Sequence, residues 1–417
     1  MDKQKDRIAV IGGGLSGLVI AQGLNKKGYK NITLFEKENN LGGKLHTIWY
    51  KGKSYEFGAT FGLPSQKNLR TLMKNFNIKI DGPKLSRVHY DIDGNKIMQL
   101  PKEVLGEFIE ELDRLPEVLD NYKSLESANM NNIEPLLMVS FSKWCNINKF
   151  QALKTVYGHY FASYGLGDIE VIPALYVLRI LNYDNLMSFM DLPEFFTWKD
   201  GVHIIIERLS KEIKDIRLGQ RVKSLSLSEE NRVCVNTEFE ELIFDKVVVS
   251  SPISIISSLY SDDHELQEFL SSIKYQDFSV YAFIADKVPK GCGCILENLS
   301  VNNRGHVVIW NSRWEPCDGE ELIMVYAYNN PDISRVKSLE ILKSDLLRLG
   351  IENPRLYQVR SWKQCPYVDT EVLMKGFYEK LENIQGKNNV FLAGEIMSTV
   401  SMENCIRYSN YVVNKYF

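Results

Sequence analysis

Three glycines near the start of the chain are spaced for holding a phosphate. In "AVIGGGLSGLVIAQGL", residues 9–24, Gly12, Gly14 and Gly17 follow an apolar run and open an apolar helical stretch. Gly12 permits a tight strand-to-helix turn. Gly14 lets a pyrophosphate approach the backbone, and Gly17 lets the helix lie close against the strand. The helix start, with Ser16 in its first turn, offers unpaired N–H groups and a positive dipole end to the phosphates. A second strand, "ITLFE", ends at Glu36. A carboxylate there accepts the hydroxyls of an adenosine ribose and disfavours a 2′-phosphate. Together these residues read as a dinucleotide cradle.

Glycines elsewhere indicate which dinucleotide. Glu36 is followed by "KENNLGGKLHT", whose Gly43 and Lys44 suit a loop closing over the pyrophosphate or a flavin. "YEFGAT" adds Gly58, Ala59 and Thr60 in a close-packed setting. Near the far end, "NNVFLAGE" runs a short apolar strand into Gly394 and Glu395, with a helical segment behind it. Glycine sites at both ends of the chain fit an elongated FAD better than NAD.

The elements that must carry these residues follow from periodicity. Residues 7–36 read as strand, glycine turn, helix, strand. Residues 101–196 read mostly as helix: Val104, Leu105, Phe108, Ile109, Leu112 and Leu115 recur at helical spacing. Phe150, Leu153, Val156, Tyr157, Tyr160 and Phe161 do the same, and Pro116 and Pro135 are expected to break the region. From residue 221 the pattern turns to strands, among them "RVKSLSLS", "KVVVSS", "SVYAFIA", "HVVIW" and "ELIMVYAY". Asp93-Gly94 and Glu230-Asn231 read as turns between strands. The expected class is α/β: a discontinuous Rossmann-like FAD domain (1–80, 197–255, 376–417), a mixed-sheet substrate domain (81–100, 256–375) and a helical cap (101–196).

Composition excludes several classes. With 417 residues, 44% hydrophobic and 25% charged, the chain can bury ample core. A net charge of -3 implies no broad basic face for nucleic acid. The start "MDKQKDR" carries no signal-peptide apolar region, and no run of about 20 apolar residues spans a membrane. Even "VIPALYVLRIL" contains Pro173 and Arg179. A cytoplasmic location with reduced thiols is expected; peripheral membrane contact and oligomeric state stay open. The seven cysteines show no zinc-ligand spacing. The six histidines do not cluster in sequence, and "DIDGN" lacks the distant Glu of a calcium loop. No metal and no G-x-S-x-G nucleophile are expected.

Through "GGGLSG", "LFEK", "LGGK", "RLGQRVKSL" and "VFLAGE" the chain resembles the flavin amine oxidase superfamily. Within it, "YEFGATFGLPS", "DGPKLSR", "PALYVLRILNYDNLMSFMDL", "FTWKDGVHIIIERL" and "GEIMSTVSMENCIRYS" are similar to FAD-dependent polyenoic fatty acid isomerases. The resemblance is weakest over 101–150. It implies a flavin that takes a hydride from a methylene between two double bonds and returns it to the same chain. It also implies that Arg87 and the aromatic Phe189 clasp a substrate carboxylate, and that Glu36, Lys44, Val222 and Glu395 contact FAD. The implied partner is a small apolar carboxylic acid. Trp198, Trp310, Trp314, Trp362 and Tyr367 are candidates for walling an apolar cavity.

Two other functions are compatible with the residues. One is an oxidase or dehydrogenase of an amine, amino acid or biosynthetic intermediate. The other is a non-catalytic binding protein on the same architecture, as in GDP-dissociation inhibitors. The intact glycine loop and Glu36 argue against the second.

Overall fold

A computed structural model describes residues 4–190, 195–315 and 319–417. The start of "MDKQKDR", Asp191 and Leu192 of the "NLMSFMDL" stretch, and Cys317 lie outside the described residues.

The cradle sits on a five-stranded parallel sheet. Its order is Val390–Leu392, Lys246–Val249, Arg7–Ile11, Asn31–Phe35, Asp215–Arg217. The central strands are short apolar runs because helices or loops cover both of their faces. Ile8, Ala9 and Val10 and Val247 to Val249 are fully buried. Helix Leu15–Lys26 follows the first strand and packs against the last helix, Met402–Tyr416. Opposite ends of the sequence therefore meet beside the glycine turn.

A seven-stranded mixed sheet forms the second layer. Its order is Arg355–Tyr367, Lys274–Ala285, Glu321–Tyr328, Ile309–Asn311, Cys292–Ile295, Arg87–Tyr90, Lys96–Ile97. Side chains alternate between its faces. Phe283, Trp310, Ile323 and Val325 pack with Leu342 and Leu346 of helix Arg335–Arg348. Phe278, Val280, Ile309 and Tyr326 point the other way. Register places Arg87 opposite Cys292, and Cys292 opposite Asn311, in one row across three strands.

Helices Leu105–Leu119, Phe141–Asn148, Ala152–Ser163, Ala174–Ile180 and Tyr183–Met190 follow strand Lys96–Ile97 in the chain, and the first four pack on one another. The expected break at Pro116 is absent: helix Leu105–Leu119 runs through it. Proline forfeits only the bond to the Leu112 carbonyl, near the helix end. Burial of Phe108, Leu112 and Leu115 holds the segment. Leu105 and Ile109, on the same expected apolar face, are exposed. Asp93-Gly94 and Glu230-Asn231 are turns; the Asp91 carboxylate accepts from the Asp93 and Asn95 amides, closing the first. Among the described residues no helix is long and apolar enough to cross a membrane.

Candidate active site

A cavity of about 1020 Å³ runs from the glycine turn to the seven-stranded sheet. Gly12, Gly14, Ser16, Glu36, Gly43, Lys44, Gly58, Ala59, Thr60, Gly394 and Glu395 line it, as do Arg87 and Phe189. Two expected residues do not. Gly17 lies behind the wall, where a β-carbon would stand 2.0 Å from the Gly12 carbonyl oxygen. Val222, 8% exposed, heads the strand Val222–Leu227 outside the lining. Of the aromatic candidates only Trp362 reaches the cavity. Trp310 faces the opposite side of the sheet, Trp198 and Tyr367 are buried in the larger core, and the Trp314 indole donates to the Ser54 carbonyl at 2.8 Å.

The residues of the cradle fit a dinucleotide. Helix Leu15–Lys26 has Gly14 at its N-cap and no side chain capping it, so its first amides are left for another acceptor. A β-carbon on Gly14 would meet nothing within 4 Å, whereas one on Gly12 would meet Ser250. The space in front of Gly14 thus belongs to the cavity. Glu36 is held from both sides: the Gly13 amide donates to one oxygen at 2.7 Å and the Glu38 amide to the other at 2.9 Å. Gly42 crosses back to the glycine turn, its amide donating to the Gly13 carbonyl at 2.9 Å. Lys44 forms an ion pair with Glu395, which ties the two distant glycine sites together. The Thr60 hydroxyl donates to the Gly58 carbonyl at 3.2 Å and lies 3.5 Å from the Tyr326 hydroxyl.

The other end of the cavity holds a cation. Arg87 Nη2 donates to the Tyr160 hydroxyl at 2.8 Å and to the Phe189 carbonyl at 3.0 Å. Its Nη1 is buried without a hydrogen-bond partner, and no carboxylate among the described residues pairs with it. The ring over the guanidinium is that of Tyr160, with its centroid 4.6 Å from Cζ. Phe189 meets Arg87 through its carbonyl, while its ring packs on Phe61, Tyr160, Tyr164 and Phe195. The protein itself therefore occupies Nη2 of the guanidinium.

Residues that the sequence left unmarked complete the lining: Phe61, Tyr164, Phe195, Cys292 and Tyr326 among them. Tyr160 had been readable only as core spacing. Its i, i+4 relation to Tyr164, two hydroxyls on one apolar helix face, was the one available signal. The Cys292 thiol is pushed up to about 12 by burial, against the pull of Arg87, so it stays neutral. Two histidines near the cavity are held neutral. His89 is lowered to about 4 by burial, then by Arg87 and His159. His46 is lowered to about 4 by burial, then by Arg360 and His203. No metal-binding group occurs among the described residues.

Parallel sheet, glycine turn and a shared cavity define a dinucleotide-binding fold. The chain belongs to the flavin-containing amine oxidoreductase family, whose model matches residues 15–410, and its cofactor is FAD. Its fold closely follows that of the CLA-producing fatty acid isomerase from P. acnes: TM-score 0.92, 27% identity, and full coverage of both chains. It is similar to the polyenoic fatty acid isomerase of Ptilota filicina, 35% identical over 18% of this chain and 15% of that protein. It is also similar to the probable polyamine oxidase 4 of Arabidopsis thaliana. That match is 22% identical over 65% of this chain and spans 56% of the relative's length.

Proposed function

We propose that the protein is an FAD-dependent double-bond isomerase of a polyunsaturated fatty acid or a similar apolar acid. The observation that carries this reading is Arg87, a cation lining the cofactor cavity with a buried, unpartnered Nη1. A carboxylate leaving water needs such a partner. Charge-assisted bonds of this kind are roughly twice as strong as neutral ones. The likeness to the P. acnes enzyme over the full chain supports the reaction class. An ammonium substrate would meet Arg87 as a like charge, which disfavours an amine.

When bound, FAD supplies a hydride acceptor that can return what it takes. The chain's own residues do the rest. Glu36 receives the ribose, the amides of the helix start receive the pyrophosphate, and Lys44, Glu395, Gly58, Ala59 and Thr60 surround the remainder. Arg87 anchors the acid head. Phe61, Phe189 and Phe195 exclude water near it, which strengthens the charge contact. No side chain need donate or take a proton, because the substrate leaves with the hydrogens it brought.

Anaerobic incubation of the yellow holoprotein with linoleic acid and longer polyenes tests this. Conjugated-diene absorbance at unchanged product mass is expected. Silence across a broad panel discards the substrate class. A product lighter by two hydrogens with bleached flavin identifies a dehydrogenase instead.

A further inference from the structure

Arg87 is not the only unsatisfied donor at the head of the cavity. Tyr164 stands one helical turn after Tyr160, at the C-cap of helix Ala152–Ser163. It lines the cavity together with Arg87. Its ring is fixed by edge contacts with Phe61 and Phe189, each at 5.4 Å between centroids. Its hydroxyl has no hydrogen-bond partner among the described residues. Tyrosine hydroxyls in apolar surroundings normally find one. Tyr160, in contrast, spends its hydroxyl on the protein: it accepts from Arg87 Nη2 and donates toward the Phe189 carbonyl at 3.4 Å.

We infer that the acid head is held by two groups from different elements, the Arg87 guanidinium and the Tyr164 hydroxyl, with Tyr160 as the positioning residue that sets the guanidinium. This deepens the fatty-acid reading and rests on it. The two tyrosines divide the work. With Nη2 donating to Tyr160 and the Phe189 carbonyl, and Nη1 enclosed without a partner, the charge of the guanidinium is left uncompensated by the protein. A carboxylate beside the guanidinium still has lone pairs to fill, and the Tyr164 phenol supplies a neutral O–H. Burial raises the Tyr164 pKa while Arg87 pulls it the other way, and the net upward shift keeps the proton on at neutral pH. A hydrogen bond to a charged group in such a place is worth roughly tenfold or more in affinity.

The test uses full-length holoprotein and oleate, which has no methylene between double bonds to give up, with methyl oleate as the uncharged control. Binding is read from perturbation of the flavin absorbance. Tyr164→Phe is expected to weaken oleate about tenfold and leave methyl oleate unchanged. Tyr160→Phe is expected to weaken oleate also, with the same indifference to the ester. Unchanged oleate affinity in Tyr164→Phe overturns the inference, and so does equal weakening of acid and ester, which would mark a packing effect. If the wild-type protein itself does not prefer the acid over the ester, the fatty-acid reading falls as well. That outcome is separate from a wild type that discriminates and a Tyr164→Phe variant that discriminates equally.

Discussion

One end of the cavity is lined mainly by glycine and backbone; the other is lined by side chains. The cradle is made of amides and glycines within a single strand–turn–helix unit, plus Glu36, which those same amides hold. The head-group end gathers Arg87 from a sheet strand, Tyr160 and Tyr164 from one helix and Phe189 from another. Of these only Glu36 has rotamers to lose, and the Gly13 and Glu38 amides hold both of its carboxylate oxygens. At the other end Arg87 is aimed by the Tyr160 hydroxyl and the Phe189 carbonyl. Local backbone makes the glycine turn, and tertiary packing gathers the side chains opposite it.

Substitutions sharpen this contrast, beginning with the largest effect. Gly17→Val should yield no soluble folded protein, because its β-carbon would overlap the Gly12 carbonyl at 2.0 Å. Gly14→Val, a few residues away, should fold with near wild-type circular dichroism and melting behaviour yet purify colourless. Its β-carbon meets no protein atom within 4 Å, so the side chain enters the cavity where the cofactor is expected. A yellow Gly14→Val would break the assignment of that space.

Next comes Arg313→Ala. Arg313 and Glu56 form an ion pair at 3.3 Å, each only 1% exposed, and Arg313 also donates to the Trp198 carbonyl at 2.6 Å. Breaking a buried pair leaves an uncompensated charge, so a loss of about 3–5 kcal/mol in denaturant unfolding is expected. A loss below about 1 kcal/mol, the surface-pair range, would show the pair to be hydrated in solution.

At the head-group end, Arg87→Ala should keep its flavin and its fold but weaken oleate by on the order of 100-fold, with methyl oleate unaffected. Unchanged acid affinity would remove Arg87 from the substrate site.

The smallest effect is in pH. His89 titrates at about 4 when folded, chiefly through burial, against about 6.5 unfolded. The unfolded chain therefore takes up a proton that the folded one refuses. Its contribution is complete above pH 6.5 and is lost as pH falls toward 4. His89→Asn should flatten part of that decline in denaturation midpoints. An unaltered slope would mean that His89 is protonated in the folded state near its ordinary value.

The same contrast explains what could be read in the sequence. The central strand, the glycine turn and Glu36 were legible because their signals are local and set by backbone sterics. The strand Glu321–Tyr328 coincides with "ELIMVYAY", a continuous apolar run buried on both faces. "HVVIW" was less exact: the strand starts at Ile309, after His306 has turned to the Asp345 carboxylate. Pro116 misled because a proline near a helix end sacrifices one bond that packing can replace. Arg87 and Phe189 were legible only through resemblance to a family. Even so, the ring over Arg87 is that of Tyr160. Tyr164 left no signal beyond its spacing from Tyr160, since nothing in an apolar helical stripe distinguishes a hydroxyl that the protein satisfies from one that it does not.

The most direct measurement follows hydrogen. Linoleic acid carrying deuterium on the methylene between its double bonds is mixed with unlabelled acid and turned over anaerobically by the holoprotein. The account predicts conjugated product in which a labelled chain keeps its own deuterium, moved to another carbon, with total mass unchanged and the flavin oxidised at the end. Product short of two hydrogens, with reduced flavin that recovers only on adding an external acceptor, would contradict it.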